Sequence, residues 1–397
     1  MEKTETNVQP AQLLKRFQRT RLRTEQICQN LKAEEYSSQP ADFTSPPKWH
    51  LGHTTWFFDT FILAQFQPEY KLYNKDFNYL FNSYYNTVGS RVPRDQRGCI
   101  TRPVIEEVYR YRHHVNATME GFIQTEAFLE NSAARELMEI GLNHEEQHQE
   151  LLLMDIRYIL FGNPTYPAYY ENHRDFAENA DIAPEWLPFE GGLMHVGTQN
   201  KFPFTFDNER PQHKFWLAPY ELSNQLVTNE EFLEFIEDKG YDNFSFWHDE
   251  GWNWVNTNGV KAPLYWVKKE GQWLEFTLHG LRPLQLHLPV SHVSFFEASA
   301  FATWSGYRLP TEQEWEVGAD AFGWGKRWEW TNSAYLPYPG FKAEEGAVGE
   351  YNGKFMVNQM VLRGASEFTP ENHSRKTYRN FFHANERWPL TGIRLAK

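Results

Sequence analysis

The hydrophobic periodicity of the chain changes near residue 160, and that break most constrains what it can fold into. Before it, four segments carry apolar residues at helical spacing: about Val8–Leu31, Lys48–Phe66, Val104–Leu129 and Ala133–Phe161. Ser45-Pro46-Pro47 and Asn131-Ser132 read as start signals for the second and fourth. Four helices of such length bury their apolar stripes most simply as a bundle. Beyond the break, "NPTYPAYYENHRDFAENADIAPEWLPFEGG" is rich in Pro, Gly, Asn and aromatic residues, and short alternating pieces such as "LMHVGT" and "HKFWLAPYELS" predict strands. Two short helices interrupt them, one over 228–238 with Thr228 as N-cap and Glu231 at the capping-box position, another over 295–304. A chain of 397 residues exceeds one ordinary core. The expected class is α+β: a helix bundle over 1–165, a linker over 166–189 and an irregular mixed α/β domain over 190–397.

A net charge of −13 disfavours a sequence-independent nucleic-acid binder, which needs a basic face for phosphates. No stretch approaches the roughly 20 apolar residues that span a bilayer, and the start lacks the apolar run of a signal peptide. The expectation is a cytoplasmic protein with no nucleic-acid or membrane partner. The two cysteines, Cys28 and Cys99, are too few for a disulfide framework or a cysteine-type zinc site, so His, Asp or Glu must hold any metal.

In "NHEEQHQELLL", His144 and His148 stand four residues apart on the fourth helix and project from one face. The same letters spell H-E-x-x-H, so a zinc hydrolase with Glu145 as general base is one reading. Upstream, "PPKWHLGHTTWFFDTFIL" offers His50 and His53. His53 shares a helical face with Trp49, Trp56 and Phe57 and is the better inward-facing choice. Three neutral imidazoles from two helices would suit Fe(II), Zn(II), Cu(II) or Ni(II) and leave positions open for substrate. The segment between the second and third helices is long for a bundle connection and contains "LFNSYYNTVGSRVPRDQRG". Its Arg91, Arg94 and Arg97 recur every third residue, and guanidinium forks grip carboxylates.

"HEEQHQE" and "WHLGHTTWFFDTFIL" resemble the histidine segments of the ergothioneine-type sulfoxide synthases, or hercynine oxygenases, whose amino-terminal domain is a DinB-type four-helix bundle. The second half, through "FEGGLMHVGT", "RLPTEQEWE", "RWEWTNS" and "VLRGAS", resembles the formylglycine-generating-enzyme fold, which is C-type-lectin-like. That enzyme's paired-cysteine chemistry is excluded here, because no cysteine follows Cys99.

The resemblance implies Fe(II) held by His53, His144 and His148, O2 as co-substrate, and C–S bond formation between cysteine and the imidazole of hercynine (trimethylated histidine), giving a sulfoxide. It gives catalytic roles to Tyr84 and Tyr85, with Tyr378 a second candidate, and a carboxylate clamp to Arg94 and Arg97. Gln147, Asn380, Phe381 and Phe382 would contact hercynine, whose quaternary ammonium suits aromatic faces. Glu150 would orient an imidazole from behind. Relatives that use γ-glutamylcysteine carry a Trp-Asp pair after the Asn; Phe381 and Phe382 stand there instead, which favours cysteine as donor. A selenoneine synthase and a histidine-using, ovothiol-type synthase fit the same residues.

Overall fold

The computed structural model describes residues 10–83, 85, 89–171, 183–199, 204–343 and 352–397. The chain divides into two compact units, Met1–Gly162 and Asn163–Lys397.

In the first unit the main helices are α1 (Pro10–Cys28), α2 (Pro47–Phe58), α3 (Ile105–Phe122) and α4 (Ser132–Phe161). Pro47 occupies the first turn of α2, where its missing N–H has no helical partner to lose. Asn131 caps α4 by accepting from the Ala134 N–H. The third expected helix is shorter than its periodicity suggests: Thr125 caps a separate turn over Glu126–Leu129. The second is one rod with a defect, because α2 passes through a π-turn at Asp59–Leu63 before ending at Phe66.

All twelve residues of α2 are buried, so its polar side chains must find partners inside the bundle. Two glycines allow the close packing around it. A Cβ on Gly141 of α4 would stand 2.9 Å from the rings of Phe57 and Phe58, and one on Gly52 would overlap Phe81 at 2.2 Å.

The second unit is built from short strands. Trp186–Phe189, Tyr220–Leu226 and Arg394–Ala396 form an antiparallel sheet with Tyr220–Leu226 central. Asn380–Phe382, Met360–Gly364, Trp328–Ala334 and Thr391–Gly392 form another in that order, with the last pair parallel. Gly192–Val196 pairs with His213–Leu217, and Trp266–Lys269, Gln272–Thr277 and Gly280–Pro283 make a meander. Trp186–Phe189, read from sequence as linker, is therefore a sheet strand; residues 172–182 of that span lie outside the described residues.

Thr228 and Glu231 form their capping box at the start of Asn229–Glu237, and Ser294 caps Phe295–Trp304 in the same way. Helices Asp249–Asn258 and Glu312–Gly318 were not anticipated. The second lies within "RLPTEQEWE", whose charges the structure explains. Arg308 forks onto Glu314, Glu312 accepts two bonds from Arg379, and Glu316 accepts from Arg363 and the Gly197 N–H. Trp315 donates to Glu329, which also takes a two-bond fork from Arg394, and neither member of that ion pair is exposed. Removing one partner strands a buried charge. Glu329→Ala is expected to lower the stability of the second unit by ~3–5 kcal/mol, read as an earlier denaturant transition in tryptophan fluorescence.

Candidate metal centre

Three histidines from two helices converge in the bundle interior. His53 of α2 and His144 and His148 of α4 are buried, and each offers a ring nitrogen within 4.8 Å of the other two. Their ring centroids are 4.6–4.8 Å apart. The Nε2 atoms of His53 and His144 face each other at 3.1 Å. Two imidazole nitrogens bound to one ion at about 2.0–2.1 Å lie about 2.8–3.0 Å apart in a cis-octahedral arrangement and about 3.3–3.4 Å apart in a tetrahedral one, so a spacing between the two fits a shared ion.

The protons are arranged to match. His53 donates from Nδ1 to the Phe81 carbonyl at 2.6 Å, which leaves a lone pair on Nε2. Behind His148 stands His50, its Nδ1 2.8 Å from Nδ1 of His148 and its Nε2 2.8 Å from Oδ2 of Asp155. Burial keeps all four rings neutral: it depresses His144 to about 3 and holds His53 and His148 well below the usual histidine range, with neighbouring histidines adding to the effect. His50 is also lowered by burial, against the opposing pull of Asp155. Metal coordination needs neutral imidazole.

Indoles wall the site. His53 is stacked between Trp49 at 4.4 Å and Trp56 at 5.5 Å, its i−4 and i+3 neighbours. Arg97 lies over the ring of Trp49, 3.4 Å from its centroid, and donates to the hydroxyls of Ser45 and Ser83. That guanidinium is thus held in a fixed position near the histidines.

Glu145 has no place in this centre. Its carboxylate accepts from Arg21 at 2.7 Å, Arg112 at 2.5 Å and the Thr24 hydroxyl at 2.6 Å. Burial alone would raise its pKa, but Arg112 and Arg21 bring it down to about 2. A carboxylate so engaged is a poor general base, which removes the physical ground for a zinc hydrolase built on H-E-x-x-H.

The other sequence candidates are distributed as follows. Tyr84 lies outside the described residues. Tyr85 is buried, its ring against Trp56, Phe57 and Phe61, and Phe57 in turn meets His144. Arg94 is exposed at the start of a 3-10 helix, and Gln147 is half-buried on α4. Glu150 is buried, and Asp155 carries a carboxylate bonded to His50, the imidazole behind His148. In the second unit, Phe381 is stacked between Tyr335 at 4.1 Å and Phe355 at 5.8 Å, and Phe382 meets Trp388 edge-on. The Asn380 side chain accepts from the Phe381 N–H. Tyr378 is buried among Phe206, Trp328 and His373, as a core residue of that unit. Sequence reasoning missed His50 and Asp155 as a connected pair. The available signal was the seven-residue spacing of His148 and Asp155, two turns apart on one face of α4.

Comparison with known proteins matches this architecture. Residues 16–152 match the DinB superfamily, and residues 172–332 match the Sulfatase-modifying factor enzyme 1-like domain. The chain thus joins a DinB-type bundle, which here carries the histidine cluster, to a following sulfatase-modifying-factor-type domain. The chain is 32% identical over 306 residues to a hercynine oxygenase of Mycolicibacterium smegmatis, spanning 64% of this chain and 70% of that protein. It is 29% identical over 308 residues to a hercynine oxygenase of Mycolicibacterium thermoresistibile, spanning 64% and 67%. Ergothioneine biosynthesis protein 1 of Schizosaccharomyces pombe is 26% identical over 240 residues, spanning 51% of this chain and 29% of that protein. The chain belongs to the hercynine oxygenase family and is an oxygenase. Among the described residues no helix is long and apolar enough to cross a membrane.

Because Glu145 is a structural charge, Glu145→Ala is expected to lower the stability of the bundle by ~3–5 kcal/mol in urea unfolding. At saturating metal, the metal bound per folded molecule should stay near the wild-type level, because Glu146 and Gln149 still hold the rotation of α4 through Thr20 and Thr24. Full stability combined with lost activity would instead mark Glu145 as a reacting group.

Proposed function

We propose that the chain is a nonheme Fe(II)- and O2-dependent sulfoxide synthase of ergothioneine biosynthesis, joining the sulfur of cysteine to the imidazole of hercynine. The observation that carries this reading is the convergence of three buried, neutral imidazoles from α2 and α4. His53, His144 and His148 would hold the iron, which when bound supplies one-electron chemistry with O2. Neutral ligands leave the ion its full charge, which favours an anionic thiolate beside it.

The overall reaction balances without an external reductant. The imidazole C–H and the thiol S–H bonds break, C–S and S=O bonds form, and the second oxygen atom leaves as water with both hydrogens. The two substrates together supply the four electrons that O2 takes up.

Arg97, fixed by Ser45, Ser83 and Trp49, would clamp the cysteine carboxylate together with Arg94. Tyr85, and Tyr84 beside it in sequence, would provide the phenol that moves a proton or electron to the reacting oxygen. By the family resemblance, Asn380, Phe381 and Phe382 are candidates for hercynine contact, and so, independently, is Gln147.

Oxygen uptake by the iron-loaded full chain tests the reading. Uptake should require hercynine and cysteine together, and the product mass should equal their sum plus one oxygen atom less two hydrogens. γ-Glutamylcysteine, plain histidine and a selenium donor, each offered in turn, distinguish the neighbouring specificities. The absence of thiol-dependent uptake with every pair would refute it.

A further inference from the structure

One carboxylate reaches the histidine cluster from outside it. Oδ2 of Asp155 accepts from the Ser45 backbone N–H at 2.9 Å, immediately before α2, and stands 2.8 Å from Nε2 of His50. Asp155 and His50 are both almost fully buried, so no solvent competes for these bonds. A carboxylate accepts only, so Nε2 of His50 carries that ring's proton and its Nδ1 is left as an acceptor. The atom facing that acceptor at 2.8 Å is Nδ1 of His148, which must therefore be the donor. With its single proton on Nδ1, His148 has a bare lone pair on Nε2. The direction of each bond follows from the one before it, starting at Asp155.

We infer that Asp155, acting through His50, is a positioning residue that fixes the proton of His148 on Nδ1 and so presents Nε2 as a ligand atom. The inference rests on the reading above that His148 binds the metal. It gives α2 two roles: His53 supplies a ligand directly, and His50, one turn earlier, sets the tautomer of a ligand on α4. The same Asp155 oxygen pins the start of α2, so the register of His50 and His53 against α4 and the proton arrangement of His148 depend on one group. Loss of a partner behind a metal-bound histidine typically weakens metal binding about 10–100-fold.

Two readouts test this on the full-length protein. In the metal-free, 15N-histidine-labelled chain, long-range proton–nitrogen spectra should show His148 protonated on Nδ1 in the wild type. The same tautomer should persist in Asp155→Asn, whose carbonyl can still accept from both His50 and Ser45. In Asp155→Ala and His50→Phe the two tautomers of His148 should mix. Titration with Co(II) should show affinity about 10–100-fold weaker for Asp155→Ala and His50→Phe, and close to wild type for Asp155→Asn.

Because Asp155→Ala also removes the bond to Ser45, His50→Gln supplies an independent variant. Its carbonyl can accept from His148 without help from Asp155, so it should restore the Nδ1–H tautomer and most of the affinity. Wild-type His148 protonated on Nε2, or alanine and phenylalanine variants that bind Co(II) as tightly as wild type, would overturn the inference. If the wild type binds Co(II) no more tightly than His148→Ala, the three-histidine reading fails, while the tautomer spectra still decide the relay.

Discussion

The bundle turns on one buried carboxylate that is fully engaged by its neighbours. Glu145 lies between Arg21 of α1 and Arg112 of α3, and both guanidiniums reach on to Thr55 of α2. Four helices are thereby tied through one charge cluster, with each charge partnered in an interior where an unpaired one would be prohibitive. Consecutive residues on an α-helix diverge by about 100°, so drawing Glu145 toward α1 and α3 turns His144 toward α2. Glu146 and Gln149 strengthen that rotation through bonds to Thr20 and Thr24 of α1. The acidic letters of "HEEQH" thus hold the helix, and the histidines occupy the face that this rotation exposes to His53.

Much of this was legible because it is local. Proline at the start of α2, asparagine before α4 and the Thr228–Glu231 box each act within one helical turn, where sequence spacing and spatial neighbourhood coincide. The preference for His53 over His50 as the inward-facing ligand came from the same rule, since Trp49 and Trp56 flank it at helical spacing. The spacing could not assign His50 its role. Its partner Asp155 is 105 residues away, and nothing in "HLGH" announces a carboxylate on another helix. Glu145 could be read two ways for the same reason: the arginines that neutralise it stand 124 and 33 residues distant.

The second unit was legible as a resemblance and opaque as physics. "RLPTEQEWE" could be recognised, but a run with three glutamates looks like a solvated helix face until Arg363 and Arg379 are found beside Glu316 and Glu312. Those arginines come from strands and loops far along the chain, and short irregular strands carry little periodic signal. The helix Asp249–Asn258 and the strand Trp186–Phe189 were missed on that account. Arg379 is bound to Glu312 while its neighbour Asn380 begins a sheet strand, so the segment proposed to face hercynine is anchored by the motif rather than part of it.

The central claim is that three imidazoles hold one iron and leave room beside it for a thiolate. X-ray absorption at the iron edge of the Fe(II)-loaded full chain measures this directly. The account predicts a first shell of nitrogen and oxygen scatterers with the multiple-scattering signature of three imidazoles, and a new sulfur scatterer when cysteine is added. A shell with fewer imidazoles, or a spectrum that cysteine leaves unchanged, would contradict it.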